Sequence, residues 1–86
     1  MIDLLDRLRI DVPVVQAGMG GGIAGPRLAS AVANAGGLGT LGLAGPAAMR
    51  TAIGEMRAAA PDRAVAVNLL LPFVRRAHVR LPMDVV

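Results

Sequence analysis

The chain of 86 residues has no cysteine, tryptophan, tyrosine or lysine, and a single phenylalanine, Phe73. Without cysteine it can form neither a disulfide framework nor a thiolate metal site. With one aromatic residue it lacks the interleaved rings that stack nucleic-acid bases. Its net charge of +3, carried on nine arginines against six acids, is too modest to indicate a nucleic-acid partner. The longest uncharged run, Leu28 to Met49, is nominally long enough to span a bilayer. It contains five glycines and Pro46 and changes period halfway, whereas a spanning segment must be one continuous apolar helix. The N-terminus, Met-Ile-Asp-Leu-Leu-Asp, is acidic where a signal peptide is basic. A cytoplasmic protein with no membrane partner is therefore expected.

What is present points to an ordered fold. The composition is 55% hydrophobic and 17% charged, with 11 glycines, outside the range of disordered chains. The length suits one small unit over 1–86, marginal for a large core. The organising stretch is Pro13 to Gly25, Pro-Val-Val-Gln-Ala-Gly-Met-Gly-Gly-Gly-Ile-Ala-Gly. It opens with the β-branched pair Val14 and Val15, ends in closely spaced glycines, and is followed by Pro26 at a plausible first helical position. It reads as strand, glycine-rich loop, helix start. Such a loop at the C-terminal end of a strand lets a flat or phosphorylated cofactor approach the main chain.

The rest of the chain alternates in the same way. Asp3 is a candidate N-cap for a short helical turn over 3–9. The first strand is expected over 13–17. A helix follows over 26–35, with Leu28, Val32 and Ala35 on its inner face and Gly36-Gly37 as its stop. The second strand is Leu38 to Leu43, in which Gly39 and Gly42 suggest close backbone packing. Pro46 opens a helix over 46–60, whose stripe of Met49, Ala52, Ile53, Met56 and Ala60 is core rather than a ligand site. Pro61-Asp62 ends it. The third strand is Ala64 to Leu70, with one polar residue, Asn68, near its end. A third helix begins near Phe73, and Leu81 to Val86 is a candidate fourth strand. The order β-α-β-α-β-α predicts parallel strands in an α/β fold.

Two segments, Gly20 to Gly25 and Gly37 to Gly42, fit the dinucleotide pattern G-x-G-x-x-G. That fold needs an acid near the end of the second strand to hold the ribose. No acid occurs between Asp11 and Glu55, and the second match straddles a helix stop and a strand.

The segments Pro13 to Gly42 and Ala66 to Pro72 (Ala-Val-Asn-Leu-Leu-Leu-Pro) resemble the N-terminal part of the nitronate monooxygenases, formerly called 2-nitropropane dioxygenases. The resemblance covers about Val12 to Val74. It is carried most specifically by Gln-Ala-Gly-Met and by Ala-Asn-Ala-Gly-Gly-Leu-Gly, residues 33–39. Flavin-dependent enoyl-ACP reductases share much of the pattern. The resemblance implies a partial TIM (β/α)8 barrel, about its first three βα units, and FMN as cofactor. The implied activity is oxidation of alkyl nitronates by O2. It also implies that Ala17, Gly18, Met19 and Gly20 lay their backbone against the flavin ring and that Asn68 hydrogen-bonds it. An amide can both donate and accept, as a flavin edge requires.

Plainer roles stand beside these: Asn68 as a helix cap or turn residue, Met19 as core filler, and Gln16 facing either side of its strand. A whole barrel takes roughly 250 residues, and this chain offers three units. The family's catalytic histidine and its phosphate-binding loops lie further along the barrel, so no catalytic residue and no metal ligand is assigned here. His78, among Arg75, Arg76 and Arg80, reads as a solvated surface residue. The tail Val79 to Val86 does not match what precedes a fourth strand. By itself the chain is expected to be inactive and to bind FMN weakly or not at all. A non-catalytic remnant or partner-binding fragment is the alternative outside enzymology.

Overall fold

In a computed structural model, residues 3–20 and 25–81 are described. Helix α1 (Leu4–Leu8) starts where Asp3 accepts a hydrogen bond from the Leu5 amide at 2.9 Å, satisfying one of the donors that a helix start leaves unpaired. Helix α2 (Pro26–Asn34) and helix α3 (Pro46–Ala59) both carry proline at the first position, where its missing N–H costs nothing. After α2 the chain turns through Gly36 at φ 101°, a left-handed conformation that glycine adopts without a Cβ penalty.

The strands are shorter than the sequence suggests. Strand β1 (Thr40–Leu41) and strand β2 (Ala66–Val67) pair in parallel, with Thr40 opposite Ala66 and Leu41 opposite Val67. The segment expected as a first strand makes one parallel bridge, Val15 to Leu38, closed by Leu38 N–H to Val14 O at 2.9 Å and Gln16 N–H to Leu38 O at 3.0 Å. The three extended segments therefore lie side by side in chain order and run the same way. Beyond β2 a 3-10 turn (Leu71–Phe73) leads to the four-residue helix α4 (Arg76–Val79). Residues 21–24, inside the first G-x-G-x-x-G match, and residues 82–86, in the candidate fourth strand, lie outside the described residues.

The main core forms where α2 and α3 cover the strands, around Leu41, Met49, Ile53, Met56 and Val65. The methionine–isoleucine stripe of α3 is buried as its period requires. The inner face of α2 differs from the expected one. Ala29, Ser30 and Ala33 are buried, whereas Leu28 is 38% exposed and Ala35 is exposed. Proximity explains the choice: a Cβ at Gly39 would overlap the Ala29 carbonyl, so helix and strand meet backbone to backbone. Only small side chains fit such a contact, and the larger ones turn outward. Asn34 crosses to the end of α3, donating to Ala59 O at 3.1 Å. A second cluster, Leu8, Ile10, Leu38, Ala64 and Ala66, seals the other end under α1.

Candidate functional site

Parallel strands point all their C-terminal ends one way, and there the connections at 17–20, 42–45 and 68–75 converge. Their mutual fit is set by bare backbone. A Cβ at Gly18 would stand 2.5 Å from Asn68 Cβ and 3.1 Å from Leu41 O, so the glycine loop lies directly beside Asn68. A Cβ at Gly42 would overlap the Met19 carbonyl, so the loop after β1 supports the Met19 main chain from behind. Of the five site residues expected from sequence, Gly18, Met19, Gly20 and Asn68 come together here, and Ala17 leads into the loop. Gly20 faces Leu43 O, with 3.9 Å left for a Cβ.

Asn68 is half-buried. Its backbone N–H donates to Leu41 O at 2.9 Å, which finishes the β1–β2 pairing. Among the described residues its side-chain amide has no hydrogen-bond partner, so a donor pair and an acceptor stand free beside the glycine loop. Met19 is 40% exposed. A cavity of about 210 Å³ opens between Met19, Leu41, Gly42, Met49 and the start of α2. No charged residue occurs in 16–20, 41–45 or 67–74. The cavity offers main-chain groups and apolar walls; Asn68, Gly18 and Gly20 do not line it, and the Asn68 amide stands on the adjoining surface beside Gly18.

Two residues contribute in ways the sequence reading did not capture. Gln16 faces neither side of a sheet; it lies in the plane of the ladder. Its Nε2 donates to Thr40 O at 3.0 Å and its Oε1 accepts from Thr40 N–H at 3.1 Å, while Nε2 also touches Ala17 O. The amide replaces the next rung of main-chain pairing and lets the Ala17–Gly20 loop peel away from β1. Its one sequence signal is a lone amide at the end of an apolar run. The expectation for His78 is corrected outright. Arg75, Arg76 and Arg80 are exposed, but His78 is only 2% exposed. Its ring spans two loops, with Nδ1 accepting from Arg75 N–H at 2.9 Å and Nε2 lying 2.7 Å from Ala44 O. A ring with both nitrogens matched to main-chain groups can be buried where an unpaired one cannot.

The opposite end holds the charge. Asp11 and Arg63 pair at 3.0 Å, and the guanidinium holds the Asp11 carboxyl below its usual range through their hydrogen bond and charge. They border an open groove of about 390 Å³ that also includes Asp6, Arg9 and Asp62. Among the described residues no three histidine, cysteine, aspartate or glutamate side chains gather to hold a metal. No helix among them is long and apolar enough to cross a membrane.

The chain thus presents an α/β arrangement with parallel strands and an uncharged recess at their C-terminal ends, the end at which βα folds bind their ligands. The chain belongs to the nitronate monooxygenase family, whose description it matches over residues 3–79, a family of flavin-dependent oxidoreductases. Among solved structures it is similar to FabK from Thermotoga maritima, with a TM-score of 0.74 and 34% identity over 88% of this chain and 25% of that one. A mutant of the same FabK aligns with a TM-score of 0.73 and 34% identity, over 88% of this chain and 26% of that one. The chain thus spans about a quarter of the length of these relatives. No curated protein matches it.

Proposed function

We propose that this chain forms the first βα units of an FMN-binding TIM barrel and supplies one wall of the flavin pocket in a monooxygenase of alkyl nitronates. The observation that carries the reading is Asn68, whose side-chain amide has no hydrogen-bond partner among the described residues, standing beside Gly18 at the C-terminal ends of the strands. A flavin needs a close main-chain approach and a donor–acceptor group at its polar edge, and these neighbouring residues can offer both. Ala17, Gly18, Met19 and Gly20 would hold the ring through their backbone, and Asn68 through its amide. Held by Ala17 to Gly20 and Asn68, FMN would supply the redox chemistry, relaying electrons from the substrate to O2. The role of this chain is to fix the ring plane, present hydrogen-bond partners and exclude water on the Met19–Leu43 side. None of its described residues is positioned there to take a substrate proton, so the base and the phosphate grip are assigned to later barrel units.

The likeness to FabK favours a second reading, a flavin-dependent enoyl reductase fed by NAD(P)H, which would use the same wall. With the remaining barrel units supplied, O2 uptake on adding a nitronate supports the first reading. Anaerobic bleaching of the flavin by NADPH supports the second.

The wall itself is tested on this chain. FMN added to the ¹⁵N-labelled protein is expected to shift the amide signals of Gly18, Met19, Gly20 and Asn68 and the Asn68 side-chain NH2. Asn68→Ala is expected to weaken that binding about fivefold, the worth of roughly one hydrogen bond. Shifts confined to the Asp11–Arg63 groove, or equal binding by the variant, would overturn the assignment.

A further inference from the structure

Between Leu70 and Leu81 only two side chains are buried, His78 and Leu81. This segment contains a single 3-10 turn and the four-residue helix α4, neither of which holds itself together in water. Leu71 is 87% exposed and Phe73 65%, so their packing does not anchor it. The segment follows Asn68 directly, and its position is set by Leu81 in the main core and by the two hydrogen bonds of the His78 ring.

Those bonds fix the state of the ring. The Arg75 main-chain N–H can only donate, so Nδ1 carries no proton. Ala44 O can only accept, so Nε2 carries it. The ring is therefore the neutral Nε2–H tautomer, and it caps the start of α4 with one nitrogen while gripping the loop after β1 with the other. The gripped carbonyl, Ala44, is two residues beyond Gly42, the residue against which the Met19 main chain rests. A continuous path of contacts runs from the segment after Asn68 through His78 and Ala44 to Gly42 and the Met19 loop.

We propose that His78 is the positioning residue of the cofactor wall: by joining Ala44 O to Arg75 N–H it locks the loop after β1 to the segment after β2, and so fixes the backing of the Met19 loop. This inference rests on the FMN reading for its purpose but not for its geometry. Among the described residues the ring's hydrogen bonds go to Arg75 N–H and Ala44 O, and it acts through the two main chains it joins. No other single side chain offers an acceptor near the ring's δ position and a donor at its ε position in one rigid plane. Glutamine places a donor close to the ε nitrogen; asparagine places an acceptor close to the δ nitrogen.

Three measurements on the 86-residue chain test this. In the native protein, two-bond ¹H–¹⁵N correlations should show Nε2 protonated and Nδ1 bare; the opposite tautomer overturns the bridge. Next, His78→Gln should keep the Ala44 grip, whereas His78→Asn should keep only the α4 cap. Hydrogen exchange at the Met49 amide, which donates to Gly45 O beside the gripped Ala44, is expected to quicken about fivefold in the asparagine variant and to stay within about twofold in the glutamine variant. The same split should appear in FMN binding, followed by the amide shifts of Gly18 to Gly20, with about fivefold weakening for asparagine alone. Thermal unfolding of both variants separates a general loss of stability from a local one. If the two variants match in exchange and in FMN binding, or if both simply track stability, His78 is core filler and the proposal falls. If the exchange split appears while neither the native chain nor a variant binds FMN, the loop lock stands and the FMN reading falls instead.

Discussion

The two ends of the parallel strands are built from opposite materials. At the N-terminal end, charged side chains gather: Asp6, Arg9, Asp11, Asp62 and Arg63 line one open groove, and Asp11 pairs with Arg63. At the C-terminal end no charge occurs in the connections until Arg75, and the close contacts are made across glycines, Gly42 against the Met19 main chain and Gly18 against Asn68 Cβ and Leu41 O. Charged pairs at an exposed rim tolerate substitution, since water replaces what either partner loses. Main-chain contacts across a glycine tolerate almost none, because one added carbon forces the backbone to move. The first end is suited to closing the fold, the second to holding a ligand at a defined distance. This division between a stabilising face and a working face is the one βα barrels follow.

Substitutions between and at the two ends sharpen this contrast. The largest effect is expected from Gly39→Ala, immediately before β1, where the new methyl would overlap the Ala29 carbonyl. It should cost about 1–3 kcal/mol, read as a lower urea midpoint by far-ultraviolet circular dichroism, and should damage both ends together. A midpoint equal to that of the native chain would mean that α2 and β1 are not in backbone contact.

Gly42→Ala should act on the working end alone. Its methyl would meet the Met19 carbonyl, and displacement of the Met19 loop is expected to weaken FMN binding about tenfold. The fall in urea midpoint should be smaller than for Gly39→Ala. Equal stability losses for the two glycines would break the proposed division.

Gln16→Ala removes the amide that continues the ladder to Thr40 and leaves the Thr40 N–H and carbonyl to find other partners. A loss of about 1 kcal/mol is expected. It should be accompanied by faster exchange of the Thr40 amide, with the pairing of Val14 and Gln16 to Leu38 kept.

The smallest effect belongs to the charged end. The Asp11 carboxyl titrates lower in the folded chain than in the unfolded one because of Arg63. Its contribution is therefore present above the usual aspartate range and is lost as pH falls through the depressed folded value. Asp11→Asn should lower the melting temperature slightly at neutral pH, flatten its fall in acid and make it less sensitive to salt, with FMN binding unchanged. A change in FMN binding would show that the two ends are coupled.

Local signals carried a large part of the fold. Proline at the first turn, Asp3 as a cap, the glycine stop after α2 and the 3.6-residue stripe of α3 each act within a few residues of themselves, and each lies where the sequence puts it. The loop at 17–20 and the lone amide Asn68 were also legible, because a run of glycines and a single polar residue stand out against apolar strands. Strand lengths were less so. Apolar runs of five to seven residues end as two paired residues or one bridge, since ladder pairing depends on what the neighbouring segment offers.

Which face of α2 is inward, where Gln16 points and whether His78 meets water were decided only by tertiary structure. Leu28 and Val32 carry the hydrophobic period of α2, yet the close approach of Gly39 to Ala29 selects the small residues instead. His78 sits among arginines that mark its neighbourhood as exposed, yet two main-chain groups, one of them 34 residues away in the chain, match its nitrogens and bury it. The sequence by itself determined α1, α2 and α3, their ends and the chemical character of the loop, because those follow from each residue's own conformational preferences and its nearest neighbours, whereas the helix expected from Phe73 is a 3-10 turn ending there, followed by the short α4. Distances between segments brought together by folding decided the rest, for whether a side chain is buried or paired depends on groups that sequence order does not place beside it.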